Sequence, residues 1–259
     1  MTKSWAGIII SLLLLLGTVS PLIAQTHIGD LLQLAQQAYQ AGEYEQAIQQ
    51  YEILRQTGLN HPALYYNLGN AYFKQGEFGW AIVNYRKAQL LTPRDPQIAE
   101  NLQTARRLSA EQLPPSVQGP IEGLAVATSW FTRNELLQVG LFFWLGAMLL
   151  ILPTIFLRTI RPMFQPLAGL CMIPVVFIAL SIVSRIVLDV TTPAVVVTDG
   201  VVEATTGPGA TERYDVAFRL RAGAEGRLLQ ERQGWYQISM ADNLQGWIPA
   251  ETAALVRIE

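Results

Sequence analysis

The sequence predicts a multidomain membrane protein that combines all-α helical hairpins, two transmembrane helices and a small all-β barrel. Three observations predict this fold class. The apolar residues are concentrated in three long blocks, a stretch after the first block repeats with a period of 34 residues, and the C-terminal part alternates short β-branched runs with Gly and Pro. Only 15% of the residues are charged, as is typical of a membrane protein.

The first apolar block, residues 1–24, has the features of a signal peptide. Lys3 provides the positive start, residues 8–16 provide the apolar stretch, and residues 21–24 resemble the region before a cleavage site. Leu22 is larger than the small residue that is usual two places before the cleavage residue, so an uncleaved membrane anchor stays open. In either case we expect the chain that follows to be exported.

The second and third blocks, residues 133–157 and 166–188, are predicted transmembrane helices. Each is long enough to cross a hydrocarbon core of about 30 Å at about 1.5 Å per residue. Thr132 and Glu135 have the spacing of a capping box at the start of the first helix. Arg185, near the end of the second, is expected to reach the membrane interface.

The loop between these helices, residues 158–165, sets the predicted orientation. It carries Arg158 and Arg161, and the positive-inside rule places such a loop in the cytoplasm. Export of the N-terminal part requires the same arrangement. The sequence therefore predicts a two-pass protein of a bacterial inner membrane, with both soluble regions on the periplasmic or outer face.

Residues 28–110 form a predicted helical repeat region that ends in a capping helix. The matching positions, 34 residues apart, are Leu34 and Leu68, Ala35 and Gly69, Gly42 and Gly76, Tyr44 and Phe78, Ala47 and Ala81, and Tyr51 and Tyr85. This period and order of small and large residues resemble tetratricopeptide repeats, and the second copy matches better than the first. Gly69 and Ala81 let paired helices approach closely, Gly76 opens the turn, and Pro93 ends the second helix.

The resemblance implies a protein-binding groove on the concave face of the repeats. By register this groove is lined by Leu32, Gln36, Tyr39, Tyr66, Asn70, Phe73, Lys74 and Arg107. Asn70 matches a position where some family members bind a C-terminal carboxylate, but Leu32 and Tyr66 stand where those members have basic residues. An aromatic groove for an extended or helical segment fits better. Plain solvated surface is the alternative for each of these residues.

Residues 111–132 are a predicted linker, rich in Pro and Gly. Residues 121–130 within it are expected to form a helix at the membrane interface.

The C-terminal residues, 194–259, are predicted to fold as a small barrel with strands at 194–197, 226–231, 235–240, 246–248 and 255–258. Residues 234–238 and 246–250 resemble bacterial SH3-like domains, although Thr205 replaces a usual arginine and Gly226 a usual β-branched residue. The resemblance implies a ligand face formed by Tyr214, Trp235, Tyr236 and Trp247. The alternative is that both tryptophans belong to the barrel core.

Catalytic and metal-binding patterns are missing from the sequence. The chain has two histidines and one cysteine, Cys171, and shows no phosphate-binding loop or Ser/His/Asp set. A formal net charge of −2 and the absence of a basic region argue against a nucleic-acid ligand. We therefore expect a non-enzymatic protein without a cofactor or a metal.

The order of signal segment, tetratricopeptide repeats, two membrane helices and SH3-like domain resembles the BatE-type proteins of bacterial aerotolerance operons. That resemblance implies a scaffold that works beside membrane proteins with von Willebrand A domains and a MoxR-type ATPase. We therefore expect an envelope adaptor that binds other proteins, with a role in aerotolerance or stress response. Two alternatives remain, a peptidoglycan tether that uses the SH3-like domain and a periplasmic assembly chaperone.

Overall fold

The computed structural model describes residues 28–109, 119–210, 212–240 and 244–258. The predicted signal peptide, residues 1–24, and the first part of the predicted linker lie outside the described residues. The helices are α1 (residues 28–40), α2 (Tyr44–Gln56), α3 (Pro62–Gln75), α4 (Phe78–Leu91), α5 (Pro96–Leu108), α6 (Gly119–Ala127), α7 (Arg133–Phe156) and α8 (Arg161–Thr191). The strands are β1 (Ala194–Val197), β2 (Val201–Thr205), β3 (Val216–Arg221), β4 (Glu225–Arg232), β5 (Trp235–Ser239), β6 (Gln245–Pro249) and β7 (Ala253–Leu255).

Helices α1 to α5 form a helical stack of two hairpins followed by a single helix. Gly42 and Gly76, with φ of +81° and +87°, make the left-handed turns that close the hairpins. A Cβ on Gly69 would lie 2.7 Å from the ring of Tyr85, so this glycine allows α3 and α4 to approach closely. Helix α4 ends at Leu91, before the proline that was expected to end it. The all-α hairpins that the period predicts are confirmed.

Helices α7 and α8 form an antiparallel pair. At one end Arg133 pairs with Asp189, and at the other the Nε of Arg161 donates to the Thr154 carbonyl at 2.9 Å. Both helices are long and apolar enough to cross a membrane, with mean hydropathies of 2.2 and 2.5. Their exposed surfaces are largely apolar.

Local signals account for where these two helices begin. The predicted capping box is present, because the Thr132 hydroxyl accepts from the Glu135 amide at 3.2 Å and the Glu135 carboxylate accepts from the Thr132 amide at 2.8 Å. The region predicted as a loop, residues 158–165, is instead mostly helical. It contains a 3₁₀ turn, Arg158–Ile160, and the first turn of α8, where a proline near the N-terminus is tolerated.

The C-terminal part is an antiparallel sheet of seven strands in the order β3-β2-β6-β5-β4-β1-β7, which we call the sheet domain. The predicted all-β domain is confirmed as an antiparallel sheet, but the predicted barrel is not closed, because edge strands β3 and β7 do not pair with each other. Of the predicted strands, the four at 194–197, 226–231, 235–240 and 246–248 correspond to β1, β4, β5 and β6. The last is displaced, since β7 covers Ala253–Leu255 and shares only Leu255 with the expected 255–258.

Strands β2 and β3 were missed because their apolar residues are interrupted by charges. Glu203 and Arg219 are paired in register across the two strands, and the Nε of Arg219 donates to the carboxylate of Glu203 at 2.9 Å. Both charges therefore belong to the outer side of a half-buried ladder. Val202, Ala204 and Leu220 supply the buried side.

The helical stack and the sheet domain share one apolar core. Ile82 and Tyr85 of α4 pack in the same cluster as Val196 and Val256 of the sheet domain. The backbone of α4 also lies directly on β1, since a Cβ on Gly79 would lie 2.6 Å from the Val197 carbonyl oxygen. The helical stack and the sheet domain, the two soluble modules that the sequence predicts, therefore form one packed unit rather than two units connected only by a linker.

Candidate functional site

The inner side of the helical stack carries a polar cluster contributed by three helices. The hydroxyl of Tyr85 in α4 donates to the Oδ1 of Asn70 in α3 at 2.7 Å. The Nδ2 of Asn101 in α5 donates to the same Oδ1 at 3.1 Å and to the hydroxyl of Tyr66 at 3.0 Å. The rings of Tyr66 and Tyr85 are tilted against each other with centroids 6.0 Å apart. We call Tyr66, Asn70, Tyr85 and Asn101 the inner polar cluster.

This hydrogen-bond pattern fixes the orientation of both amides. The Oδ1 of Asn70 accepts two bonds, so its Nδ2 faces outward, and the Nδ2 of Asn101 uses both of its hydrogens, which leaves its Oδ1 free to accept. Within the part of the chain that the structure describes, neither outward atom has a hydrogen-bond partner. The cluster therefore presents one amide donor group and one carbonyl acceptor next to each other.

Burial favours the neutral form of the phenol at the centre of this site. It raises the pKa of Tyr85 above its ordinary value, and the neighbouring hydroxyls of Tyr66 and Tyr39 raise it further. Tyr85 is 1% exposed, whereas Tyr66, Asn70 and Asn101 are only partly buried. The site thus offers neutral hydrogen-bonding groups beside aromatic rings.

The other predicted groove residues do not join this cluster. Leu32 and Tyr39 pack on the core of the first hairpin, and Phe73 meets Phe78 edge to face at 5.6 Å. Three more predicted groove residues are exposed side chains: Gln36, Lys74 and Arg107. Of the eight predicted groove residues, only Tyr66 and Asn70 belong to the hydrogen-bonded cluster.

Sequence reasoning missed Tyr85 and Asn101. The sequence assigns Tyr85 to the fold alone, because it occupies a repeat signature position. Asn101 lies in α5, which was read only as a capping helix. The sequence offers one indication of Asn101. This residue directly precedes Leu102, which is the repeat equivalent of Leu34 and Leu68.

The four residues of the predicted ligand face of the sheet domain have different environments in the structure. Trp247 is 8% exposed, so its ring belongs to the interior. Tyr236 is half-buried against the sheet core, and burial raises its pKa. Tyr214 lies against the loop glycines, since a Cβ on Gly209 would lie 2.9 Å from its ring, and so it fixes that loop.

Trp235 is the member of that face that lines an open surface. With Pro249 it borders a shallow depression of about 590 Å³ that also contains Asp199, Glu203 and Arg219. The buried hydroxyl of Thr205, which stands where an arginine was expected, lies 2.8 Å from the Gly207 carbonyl oxygen and 3.1 Å from that of Trp247. It holds the loop to β6 rather than pointing outward.

Residues 62–95 match the tetratricopeptide repeat family. The helical stack is tetratricopeptide-like. The match begins at the first residue of α3 and includes α4, so it covers the better of the two copies that the sequence predicts, and it contains Tyr66, Asn70 and Tyr85. A search of curated proteins found no significant match to the chain. A repeat of this family indicates a scaffold for protein–protein interaction.

Proposed function

We propose that this protein is a non-enzymatic adaptor of a bacterial envelope, anchored in the inner membrane by α7 and α8. Its helical groove binds an extended segment of another protein. The observation that carries this proposal is the inner polar cluster, with the outward Nδ2 of Asn70 and the outward Oδ1 of Asn101.

The chemistry of the cluster fits the main chain of a peptide. A peptide group has one carbonyl acceptor and one N–H donor, which complement the Nδ2 of Asn70 and the Oδ1 of Asn101. The two side-chain amides are in contact at 3.1 Å, so both interactions are available within one site. The ring of Tyr66 supplies apolar contact beside it. No charged ligand group is needed, and this agrees with the replacement of clamp basic residues at positions 32 and 66.

The shared core of the two soluble modules supports their location on one side of the membrane. Because α4 packs on β1, both must lie on the same face, and a two-pass helical hairpin returns the chain to that face. The predicted signal peptide and the arginines at 158 and 161 favour the periplasmic face.

The resemblance to BatE-type proteins supports a class of partner. We propose that the bound segment belongs to a membrane or envelope protein, with von Willebrand A domain proteins and a MoxR-type ATPase system as candidates. The role would lie in aerotolerance or stress response. The stack is short, and each neutral hydrogen bond contributes only about 0.5–1.5 kcal/mol, so the affinity of the groove alone should be modest.

Site-specific photocrosslinking in cells tests the groove. A photoreactive residue placed at Phe73 should recover one or two discrete envelope proteins. The double variant Asn70→Ala and Asn101→Ala should lower the yield about tenfold, because two hydrogen bonds are lost. Gln49→Ala removes an exposed amide of α2 and should leave the yield unchanged.

Three outcomes would contradict parts of this proposal. Equal yields from the double variant and the wild type would exclude the inner polar cluster as the binding site. Recovery of no protein would remove the adaptor function. A broad set of unfolded clients would instead favour an assembly chaperone.

A second candidate function, a peptidoglycan tether, is favoured by the open depression beside Trp235. This function agrees with the resemblance of the sheet domain to bacterial SH3-like domains. The full chain in detergent should then co-sediment with purified sacculi, and Trp235→Ala should release it, whereas Leu229→Ala, an exposed residue elsewhere in the sheet domain, should not. Sedimentation that Trp235→Ala leaves unchanged would remove the tether.

A further inference from the structure

Helix α6 and the turn after it lie beside one end of α8, the end that leads into the sheet domain. The hydroxyl of Ser184 donates to the Ile121 carbonyl at 3.1 Å. The guanidinium of Arg185 donates to the Phe131 carbonyl at 2.9 Å and also to the Thr128 carbonyl. Since Ser184 and Arg185 are neighbours within the last two turns of α8, both ends of this segment are held close to that level of the helix.

This segment has one buried polar side and one exposed apolar side. Glu122 and Thr128 are 6% and 5% exposed. The large side chains that face outward are apolar or aromatic: Ile121, Val126, Trp130 and Phe131, at 52%, 48%, 63% and 41% exposed. The small polar side chain of Ser129 is exposed beside them. An outward surface of this composition is costly in water and favourable in the interfacial layer of a bilayer.

The buried polar side is tied to the sheet domain. The carboxylate of Glu122 accepts from Arg227 of β4 at 2.7 Å. The same guanidinium donates to the Thr192 carbonyl, at the end of α8, at 3.1 Å. Arg227 therefore joins α6, the end of α8 and β4 at one point.

We propose that α6 and the turn through Phe131 lie in the interfacial layer of the membrane, where their apolar side contacts the lipid surface and their polar side holds the sheet domain against it. This inference rests on the proposed anchoring by α7 and α8. The occupant of the apolar side is lipid because that surface is continuous with the exposed apolar surface of α8, at the level where its apolar stretch ends. Trp and Phe at this level are typical of an interfacial aromatic belt.

Arg185 fits this location. A guanidinium at the edge of the hydrocarbon region needs partners for its donors, and here the carbonyls of Thr128 and Phe131 accept from it. The arginine, which the sequence predicts to reach the membrane interface, thus stabilises the turn after α6 at that level.

Spin-label depth measurements on the full chain, reconstituted in vesicles of phosphatidylethanolamine and phosphatidylglycerol, test the proposal. With Cys171→Ser as background, single cysteines replace Val126, Phe142 and Leu90. Phe142 is a 73% exposed residue of α7 and Leu90 a 50% exposed residue of the helical stack, so they serve as the deep and aqueous references. Collision rates with oxygen and with a water-soluble nickel complex give the depth.

We expect a depth for Val126 between the two references, at the level of the lipid headgroups. A label at 126 as accessible to nickel as the label at 90, with a deep label at 142, would overturn the interfacial helix and leave the anchor standing. A water-accessible label at 142 would overturn the anchor as well. The Arg185→Gln variant should increase the mobility of the label at 126 without changing the depth of the label at 142, and an unchanged mobility would contradict the role of Arg185.

Discussion

Thr198 lies where the helical stack meets the sheet domain, and its side chain is 3% exposed. Its Oγ1 is the buried side-chain polar atom that has no hydrogen-bond partner among the described residues. A buried hydroxyl without a partner lowers the stability by about 1–3 kcal/mol, the cost of its desolvation, whereas an apolar group of the same shape has no such cost. The position is next to Gly79, whose missing Cβ would lie 2.8 Å from the Cα of Thr198.

Thr198→Val should therefore stabilise the protein. We expect the free energy of unfolding to rise by about 1 kcal/mol, and the Tm with it by about 2–4 °C for a unit of this size. Thermal unfolding in mild detergent, followed by tryptophan fluorescence, measures the change. Thr206→Val, at an exposed position nearby, is the control and should change the Tm little. A lower Tm for Thr198→Val would show that the hydroxyl has a stabilising partner.

At the scale of elements, α4 is the helix that joins the two soluble modules. Beside the backbone contact at Gly79, a buried carboxylate reinforces the joint. Glu225 of β4, 7% exposed, accepts from the guanidinium of Arg106 at 2.5 and 2.9 Å and lies 3.5 Å from that of Arg86. Burial lowers the pKa of Arg86, and the charge of Glu225 acts in the opposite direction. The contact thus combines close packing with a buried carboxylate that is held by two guanidiniums.

Gly79→Ala should weaken the joint between α4 and β1. The new methyl group would meet backbone atoms, which give way less easily than a side chain, and we expect a loss of about 1–3 kcal/mol. Limited proteolysis should then cut between the modules faster than in the wild type. Gly29→Ala, where nothing lies within 4 Å of the added methyl, is the matched control and should not increase cleavage. Equal cleavage of both variants would contradict the shared core.

Buried tyrosines give the helical stack a defined response to alkali. Burial raises the pKa of Tyr39, Tyr51, Tyr72 and Tyr85 above the ordinary value of 10.0. A group whose pKa is raised on folding contributes stability that is fully present below its unfolded pKa and is lost as the pH rises through its folded pKa. The stack should therefore keep its stability up to about pH 10 and lose it progressively above.

Tyr51→Phe isolates one of these tyrosines. Tyr51 is 2% exposed, and burial is the largest cause of its shift. We expect the loss of stability above pH 10 to be shallower in this variant than in the wild type, with chemical unfolding followed by circular dichroism at 222 nm. The free energies of unfolding of both proteins should first be compared at pH 8, so that a difference caused by packing can be subtracted. Identical alkaline slopes would show that Tyr51 does not contribute.

At the scale of the whole molecule, the shared core couples the locations of the two soluble modules. Single cysteines at Gln37 in the stack and Val201 in the sheet domain, with Cys171→Ser, should both react with a membrane-impermeant maleimide in intact cells. A cysteine at Arg158, between the two apolar helices, should react only after lysis. Protection of both cysteines, at positions 37 and 201, would indicate that the helical stack and the sheet domain lie in the cytoplasm. Reaction at one soluble site alone would contradict the packing of α4 on β1.

Much of the helical part was predictable because the sequence carries its signals directly. The turn glycines and the capping box at Thr132 act through neighbouring residues, and the period of 34 appears when the chain is compared with itself. The strands were harder to predict, since β2 and β3 carry charges that only the pairing of Glu203 with Arg219 explains. The inner polar cluster was half predictable, because register places Tyr66 and Asn70 on one face of α3, whereas Asn101 joins them from another helix.

By itself the sequence determined the repeat, the apolar helices and the turn positions, because each follows from the order of residue types along the chain. The tertiary structure decided which equivalent residues are buried and which atoms meet. Leu34, Leu68 and Leu102 are repeat equivalents, yet they are 51%, 0% and 1% exposed, because burial depends on which helices stack beside each leucine. The docking of the stack on the sheet and the inner polar cluster arise in the same way, from contacts between helices and strands whose arrangement no local pattern specifies.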